Sequence, residues 1–221
     1  MNFGFHNIPK SLEEVSLAIR RRRMKLFAEI LERTPEGPVT ILDIGGTAHF
    51  WKNTGYEFLS RCRVTLMNLN IEPTDGVANV DSVVGDACRM AEFGDQSFDI
   101  CFSNSVIEHV GTFYDQKRMA NEIRRVGRGY FVQTPYRYFP VEPHSLVPFW
   151  PWWPIWLRVA LYRRVSLGWM GKQTDQFIAR AEVEQIRLLN AKEMQWLFPD
   201  AQIHYEKFGF FTKSLMAVRE P

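Results

Sequence analysis

Ile41-Leu42-Asp43-Ile44-Gly45-Gly46-Thr47 is the stretch on which the fold turns. With Val39 and Thr40 before it, VTILDI (39–44) is an apolar, β-rich run stopped by paired glycines. That is the pattern of a strand ending at a tight turn. Gly45 and Gly46 let the backbone come close to a ligand where a side chain would clash. A helix expected within 50–60 would aim its free N–H groups at that ligand. Asp43 beneath the loop can accept from a ligand's amino group. A dinucleotide fold opens the same way, yet a pyrophosphate calls for GxGxxG, and the next positions are Thr47, Ala48, His49 and Phe50. A ligand presenting an amino acid and a ribose makes no such demand.

Outward from this loop, strand and helix patterns alternate. RVTLMNLN (63–70), DSVVGDA (81–87), SFDICFSNS (97–105) and GYFVQTP (129–135) hold the next four strands. Upstream, Ser11 with Glu14 makes a capping box. It opens a helix to about Arg33, with Leu17, Ile19, Met24, Leu26, Phe27, Ile30 and Leu31 at helical spacing. A second long helix is predicted over about Asp115–Val126. Strands separated by helices at this spacing build a parallel, doubly wound sheet. After Pro135 the regularity fails, and residues 136–189 read as a lid or insertion. Asn190 reads as the N-cap of a helix to Phe198. AQIHYEKF (201–208) and FTKSLMAVR (211–219) alternate around Gly209 as a terminal hairpin. The fold class is therefore α/β: a Rossmann-like, doubly wound, mostly parallel sheet with a C-terminal antiparallel hairpin and a lid after strand 5, as one domain over 1–221.

A chain of 221 residues fits one domain and buries about 70% of its unfolded surface without disulfide or metal staples. Its apolar fraction of 46% excludes disorder, and a net charge of +2 does not itself argue for nucleic acid. Cys62, Cys88 and Cys101 are odd in number, with no CxxC pair, which reads as reduced thiols and a cytoplasmic setting. The N-terminus lacks a basic region followed by an apolar run, so no signal peptide is expected. The longest apolar stretch, 146–162, is broken by Pro148, Pro151, Pro154 and Arg158, too short for a membrane span.

The loop ILDIGGT, GDA at 85–87 and GDQSFDICFSNSVIEHV at 94–110 together resemble the class I S-adenosylmethionine-dependent methyltransferases, over Val39 to Pro135. The resemblance implies that the cofactor's methionine part lies on Asp43, Gly45, Gly46 and Thr47. It implies Asp86 and Ala87 for the adenine, and Ser103 and Asn104 for closing the site. Strand 2 in that family usually ends in a carboxylate for the ribose. Here Asn68 stands there, with Asn70 as the alternative and Glu72 as a substitute. An amide accepts such a bond without the charge that strengthens it.

Methyl transfer needs an aligned acceptor and a group that removes its proton. The loops after strands 4 and 5 carry Glu108, His109, Glu142 and His144. Both histidines are candidate bases, His144 first. Glu108, His109 and His144 also form a mixed oxygen and nitrogen ligand set. It is similar to the Glu-x-x-Glu-His run and later His of metal-dependent superfamily members, which implies Mg²⁺, although Ser105 stands where the first Glu would be. Trp150, Trp152, Trp153 and Trp156, with prolines every third residue, predict extended geometry first. Three readings compete for this segment: a hydrophobic lid, an acceptor platform for sugars or polyphenols, and a peripheral membrane contact through 146–164. Arg20 to Arg23 read as a solvated helical face. Taken together, the residues predict an O-methyltransferase acting on a small-molecule or glycan acceptor. The alternatives are an RNA or quinone/lipid methyltransferase, and a cofactor-binding module without catalysis.

Overall fold

The computed structural model describes residues 10–34, 36–53, 60–74, 76–142, 144–168 and 170–221, with side chains from residue 18 onward. Strand β1 (Val39–Ile44) is central because its side chains alternate between two apolar layers. Ile41 packs with Met24, Phe27, Ile30 and Leu31 of helix α1 (Lys10–Arg33). Leu42 and Ile44 face the opposite way, into a cluster with Met119 and Ile123 of α3 (Phe113–Val126) and Leu197 of α6 (Ala191–Leu197). A strand covered on both faces is largely apolar, and its one charged residue, Asp43, marks the site.

The strand order is β3-β2-β1-β4-β5-β7-β6. β1 runs parallel to β2 (Cys62–Asn68) and β4 (Phe98–Asn104), β2 to β3 (Val80–Val84), and β4 to β5 (Gly127–Pro135). The hairpin β6 (Gln202–Phe208) and β7 (Phe211–Arg219) turns at Gly209 and adds antiparallel strands to β5. Because the chain leaves β1 toward β2 and later returns on its other side at β4, the crevice lies beyond the carboxyl ends of β1 and β4.

The expected elements are present with small boundary shifts. The helix after the glycine loop is short: α2 covers only Ala48–Lys52, capped by the Thr47 hydroxyl, and residues 54–59 lie outside the described residues. The side chains of Ser11 and Glu14, the expected capping box of α1, lie outside them too. The box at Asn190 and Glu193 is present.

The insertion leaves and re-enters the sheet edge side by side, since Tyr136 bridges Leu189. Between them lie α4 (Ile155–Tyr162) and α5 (Gln176–Gln185), around a small core of Trp150, Val159, Tyr162, Leu167, Met170, Ala179 and Val183. The extended geometry predicted for the proline-rich stretch is replaced at Trp150–Trp152 by a 3₁₀ turn. Burying Trp150 in this core decides the local backbone. No helix among the described residues is long and apolar enough to cross a membrane.

The arginine run departs from a solvated face at one residue. Arg21 and Arg22 are exposed, but Arg23 is 8% exposed. It forms a two-pronged pair with Glu206 (2.8 and 3.2 Å) and donates to Gln133 Oε1 (2.9 Å) and to Asn104 Oδ1. One side chain thus ties α1 to β4, β5 and β6. Arg23→Ala would strand Glu206 without its partner, and breaking a buried pair costs about 3–5 kcal/mol. Urea unfolding measures this; a loss under about 1 kcal/mol, the surface-pair range, would contradict the hub role.

Candidate active site

Asp43 is 1% exposed, and its Oδ2 accepts from Trp51 Nε1 at 2.7 Å. Its Oδ1 is fully buried with no hydrogen-bond partner among the described residues. Burial, only partly offset by the Trp51 bond, pushes this carboxyl up to about 7. An orphaned buried acceptor at the end of the central strand is costly, and it fits a cationic group of a ligand. Gly46 arches over Asp43 so closely that a Cβ there would come within 1.6 Å of Oδ2. Gly45 adopts φ +76°, and a Cβ on it would sit 2.5 Å from Val106 Cγ2. The Val106 side chain, in the loop after β4, thus packs against the Gly45 backbone and leaves no room for a side chain there.

Thr47 spends its hydroxyl on capping α2, accepting from the Phe50 amide at 3.2 Å. Asn68 ends β2 and donates Nδ2 to the Gly46 carbonyl (2.9 Å), so its amide oxygen is the group it can offer a hydroxyl. Asn70 is exposed beyond the strand. Glu72 is tied by its backbone amide to the Ser82 hydroxyl (2.9 Å). Asp86 is exposed and holds the turn into Cys88 through Oδ1 (2.8 Å), with half-buried Ala87 between them. Ser103 is fully buried, and its hydroxyl has no partner among the described residues. Asn104 is held by Arg23 instead, an anchor that the sequence pattern did not reveal.

On the acceptor side, Glu108 and His109 lie in a 3₁₀ turn (Ile107–His109) directly after Val106. Glu108 is fully buried; Oε2 accepts from Thr134 Oγ1 (2.9 Å), and Oε1 has no partner among the described residues. Burial outweighs His144's charge and holds this carboxyl above its ordinary range. Burial, with the charge of His144, drops His109 to about 4, so it is neutral at physiological pH. The rings of His109 and His144 meet edge to face at 4.9 Å.

His144 Nδ1 bonds Glu142 Oε1. Glu142 is 2% exposed, and its Oε2 accepts from the amides of His144 (3.1 Å) and Ser145 (2.7 Å). Burial opposes charge on both partners, but their mutual hydrogen bond and attraction win. Glu142 is held below, and His144 above, its ordinary value. A carboxylate that orients an imidazole and stabilises its protonated form is the arrangement general-base catalysis uses. Sequence reasoning placed Glu142 near the site without giving it this role.

Glu108, His109 and His144 do converge, each offering a ligand atom within 4.8 Å of the others. Two imidazoles and one carboxylate do not fit Mg²⁺, which takes oxygen ligands. Ser105, at the position of the missing carboxylate, gives its hydroxyl to Gln133 Oε1 (2.9 Å). The Mg²⁺ expectation is therefore not supported by the donor set. Of the remaining histidines, His49 is exposed on α2, His204 lies on β6, and His6 is outside the described residues.

The tryptophan segment splits by role. Trp150 is buried, as the lid reading expects, whereas Trp152 (51%) and Trp156 (69%) are exposed. Phe149 stacks on Trp152 at 5.5 Å, and Trp152 on Tyr138 at 6.5 Å, which makes a flat aromatic step beside Trp150.

Residues 45–132 match the family model described as a methyltransferase domain. That span runs from the glycine loop to β5 and stops before Glu142 and His144. Among solved structures, the chain is similar to magnesium protoporphyrin IX methyltransferase from Synechocystis with bound S-adenosylhomocysteine. The TM-score is 0.58 at 8% identity, covering 98% of this chain and 90% of that one. It is similar to 1,6-didemethyltoxoflavin-N1-methyltransferase from Burkholderia thailandensis (TM-score 0.53, 13% identity, 91% and 76% covered). It is also similar to phosphoethanolamine N-methyltransferase 2 from Haemonchus contortus in complex with S-adenosyl-L-methionine. There the TM-score is 0.51 at 16% identity, with 83% of this chain covered but only 38% of that chain's length spanned. At these identities the likeness is one of fold. No curated protein matches the chain.

Proposed function

We infer that this chain, a class I S-adenosylmethionine-dependent methyltransferase, moves the methyl group onto a hydroxyl of a small-molecule or glycan acceptor, with His144 as the general base. The observation that carries this reading is the buried Glu142–His144 pair in the loop after β5, beside Glu108 and Thr134. A hydroxyl is a weak nucleophile until its proton is removed, so its methylation near neutral pH gains from a positioned base.

When bound, S-adenosylmethionine supplies an electrophilic methyl group and leaves as S-adenosylhomocysteine. Asp43, through its unpaired Oδ1, and Ser103 would hold the amino-acid end on the Gly45–Gly46 loop. The Asn68 amide oxygen would serve the ribose, and Asp86 with Ala87 the adenine. His144, whose Nδ1 stays on Glu142, would take the proton of the acceptor hydroxyl as the methyl group passes from the sulfonium to that oxygen, and the Glu142 carboxylate would stabilise the imidazolium so formed. Glu108, whose carboxyl burial holds above its ordinary range, lies beside the base and is anchored by the Thr134 hydroxyl. The aromatic step of Phe149, Trp152 and Tyr138 suits the flat face of a sugar or phenol ring.

The test is formation of S-adenosylhomocysteine over matched panels of carbohydrates, phenols and RNA, with EDTA and with added Mg²⁺. Turnover with a carbohydrate hydroxyl, unchanged by EDTA, is expected. Turnover with RNA alone, or loss of activity in EDTA restored by Mg²⁺, would contradict the acceptor class or the metal-free base respectively.

A further inference from the structure

A cavity of about 290 Å³ opens between the insertion and the sheet edge, lined among others by Arg137, Glu142, Trp150, Arg158 and Arg187. Its position ties it to the catalytic cluster twice. The Glu142 carboxylate in its wall is the one that holds His144. The Arg187 backbone amide donates to the Glu108 carbonyl at 2.8 Å.

The three arginines are not equivalent. The Arg187 guanidinium is occupied: it donates to Gln116 Oε1 (2.8 Å) and Glu193 Oε1 (2.6 Å) and lies 4.6 Å over the Phe113 ring. Arg137 shares that carboxylate at 4.0 Å and is 45% exposed. The Arg158 guanidinium, on α4, has no ion pair or hydrogen bond among the described residues; Glu184 and Glu142 act on it only through longer-range attraction, and its Nε is fully buried without a partner. Glu142, the only carboxylate in the cavity wall among the described residues, already serves His144 and the amides of His144 and Ser145. A guanidinium is always charged at physiological pH, and a buried donor left without a partner is costly. The cavity thus presents, beside the base, a positive charge with no bonded counter-ion among the described residues.

We propose that this cavity is the subsite for an anionic group of the acceptor, a carboxylate or a phosphate on a small hydroxyl-bearing molecule, with Arg158 as its principal counter-charge and Arg137 at the exposed side. The proposal rests on the hydroxyl-methylation reading and narrows it from sugars in general to acidic ones. The volume is near the lower end of small-molecule pockets, suited to one ring and its substituents rather than a polymer segment. Trp150 supplies an apolar wall, and the planar guanidinium fork matches either oxyanion. Discrimination against neutral sugars follows, because they would leave the charge desolvated and unmatched.

The experiment is calorimetric titration of the protein saturated with S-adenosylhomocysteine, using glucuronate, glucose 6-phosphate and glucose. An anion is expected to bind at least about 30-fold tighter than glucose, the fold-change that follows from losing one partner of a desolvated charge pair. The tighter of the two anions identifies the group. Arg158→Gln should bring the anions down to the level of glucose, and Arg158→Lys, which keeps a point charge, should fall between. Unchanged S-adenosylhomocysteine affinity in both variants reports an intact fold. Glucose binding as well as the anions, anions binding Arg158→Gln as tightly as the wild type, or none of the three binding would each overturn the subsite. Anion binding without methyl transfer to any hydroxyl refutes the reaction and leaves the subsite standing. Methylation of neutral sugars with indifference to the anion does the reverse.

Discussion

Replacing His144 with Ala lowers kcat by about 10²–10⁴-fold, the usual size of a general-base contribution, while affinity for S-adenosylmethionine stays at the wild-type value. The residue lies in the loop after β5, away from the glycine loop, and its bonds run to Glu142 rather than to Asp43 or Asn68. The pH profile adds a sign. A base must be neutral to accept a proton, so activity rises as His144 deprotonates. Glu142 and Glu108 together hold His144 above its ordinary value against the opposing pull of burial, so the wild-type limb lies above about pH 6.5. Glu142→Gln removes the charge that holds the imidazolium. The limb then moves to lower pH, and kcat falls because the imidazolium formed in the transition state loses its partner. A His144→Ala enzyme with wild-type turnover, or a Glu142→Gln limb displaced upward, would exclude the pair from proton transfer.

Gly46→Ala abolishes measurable binding of S-adenosylmethionine, a loss of about 100-fold or more, the scale on which a displacement of an ångström in a positioned site acts. The added Cβ would fall 1.6 Å from Asp43 Oδ2. Asp43 cannot retreat, because Trp51 Nε1 holds the same oxygen and the residue is buried on every side. The loop must therefore lift off the strand end. Gly45→Ala acts differently: its Cβ would press on the Val106 side chain and force an L-residue into φ +76°, a strain of about 1–2 kcal/mol. Gly94→Ala, where a Cβ meets nothing within 4 Å, is the control and keeps full affinity. Calorimetry on the three variants decides; a Gly46→Ala protein that binds the cofactor normally would remove the loop from the site.

The sheet was legible because its signals are local. Each parallel strand is a short apolar run with its own stop, and VTILDI followed by Gly45–Gly46 needs no tertiary information to be read. The C-terminal hairpin and the Asn190 cap are equally self-contained. What the sequence concealed depends on partners far along the chain. Arg23 looks like its exposed neighbours until Glu206, 183 positions later, and Gln133 close around it. The 3₁₀ turn at Trp150–Trp152 follows from the burial of Trp150 in a core built by α4 and α5, against the extended preference of its prolines. His144 could be proposed from its loop, but the Glu142 bond that gives it chemistry is a matter of side-chain geometry two residues apart. The Mg²⁺ expectation followed the spacing of Glu108, His109 and His144, which do converge. It fails on the softness of the donors rather than on their placement.

The central claim is that an oxygen receives the methyl group. The most direct measurement is NMR of the product formed from S-[methyl-¹³C]adenosylmethionine with the best acceptor of the panel. A single ¹³C-methyl resonance at the shift of a methyl ether, coupled to the acceptor's carbon framework through oxygen and formed at least about 100-fold more slowly with His144→Ala, is the predicted result. An N-methyl or C-methyl resonance, formed at the same rate without His144, would contradict the account.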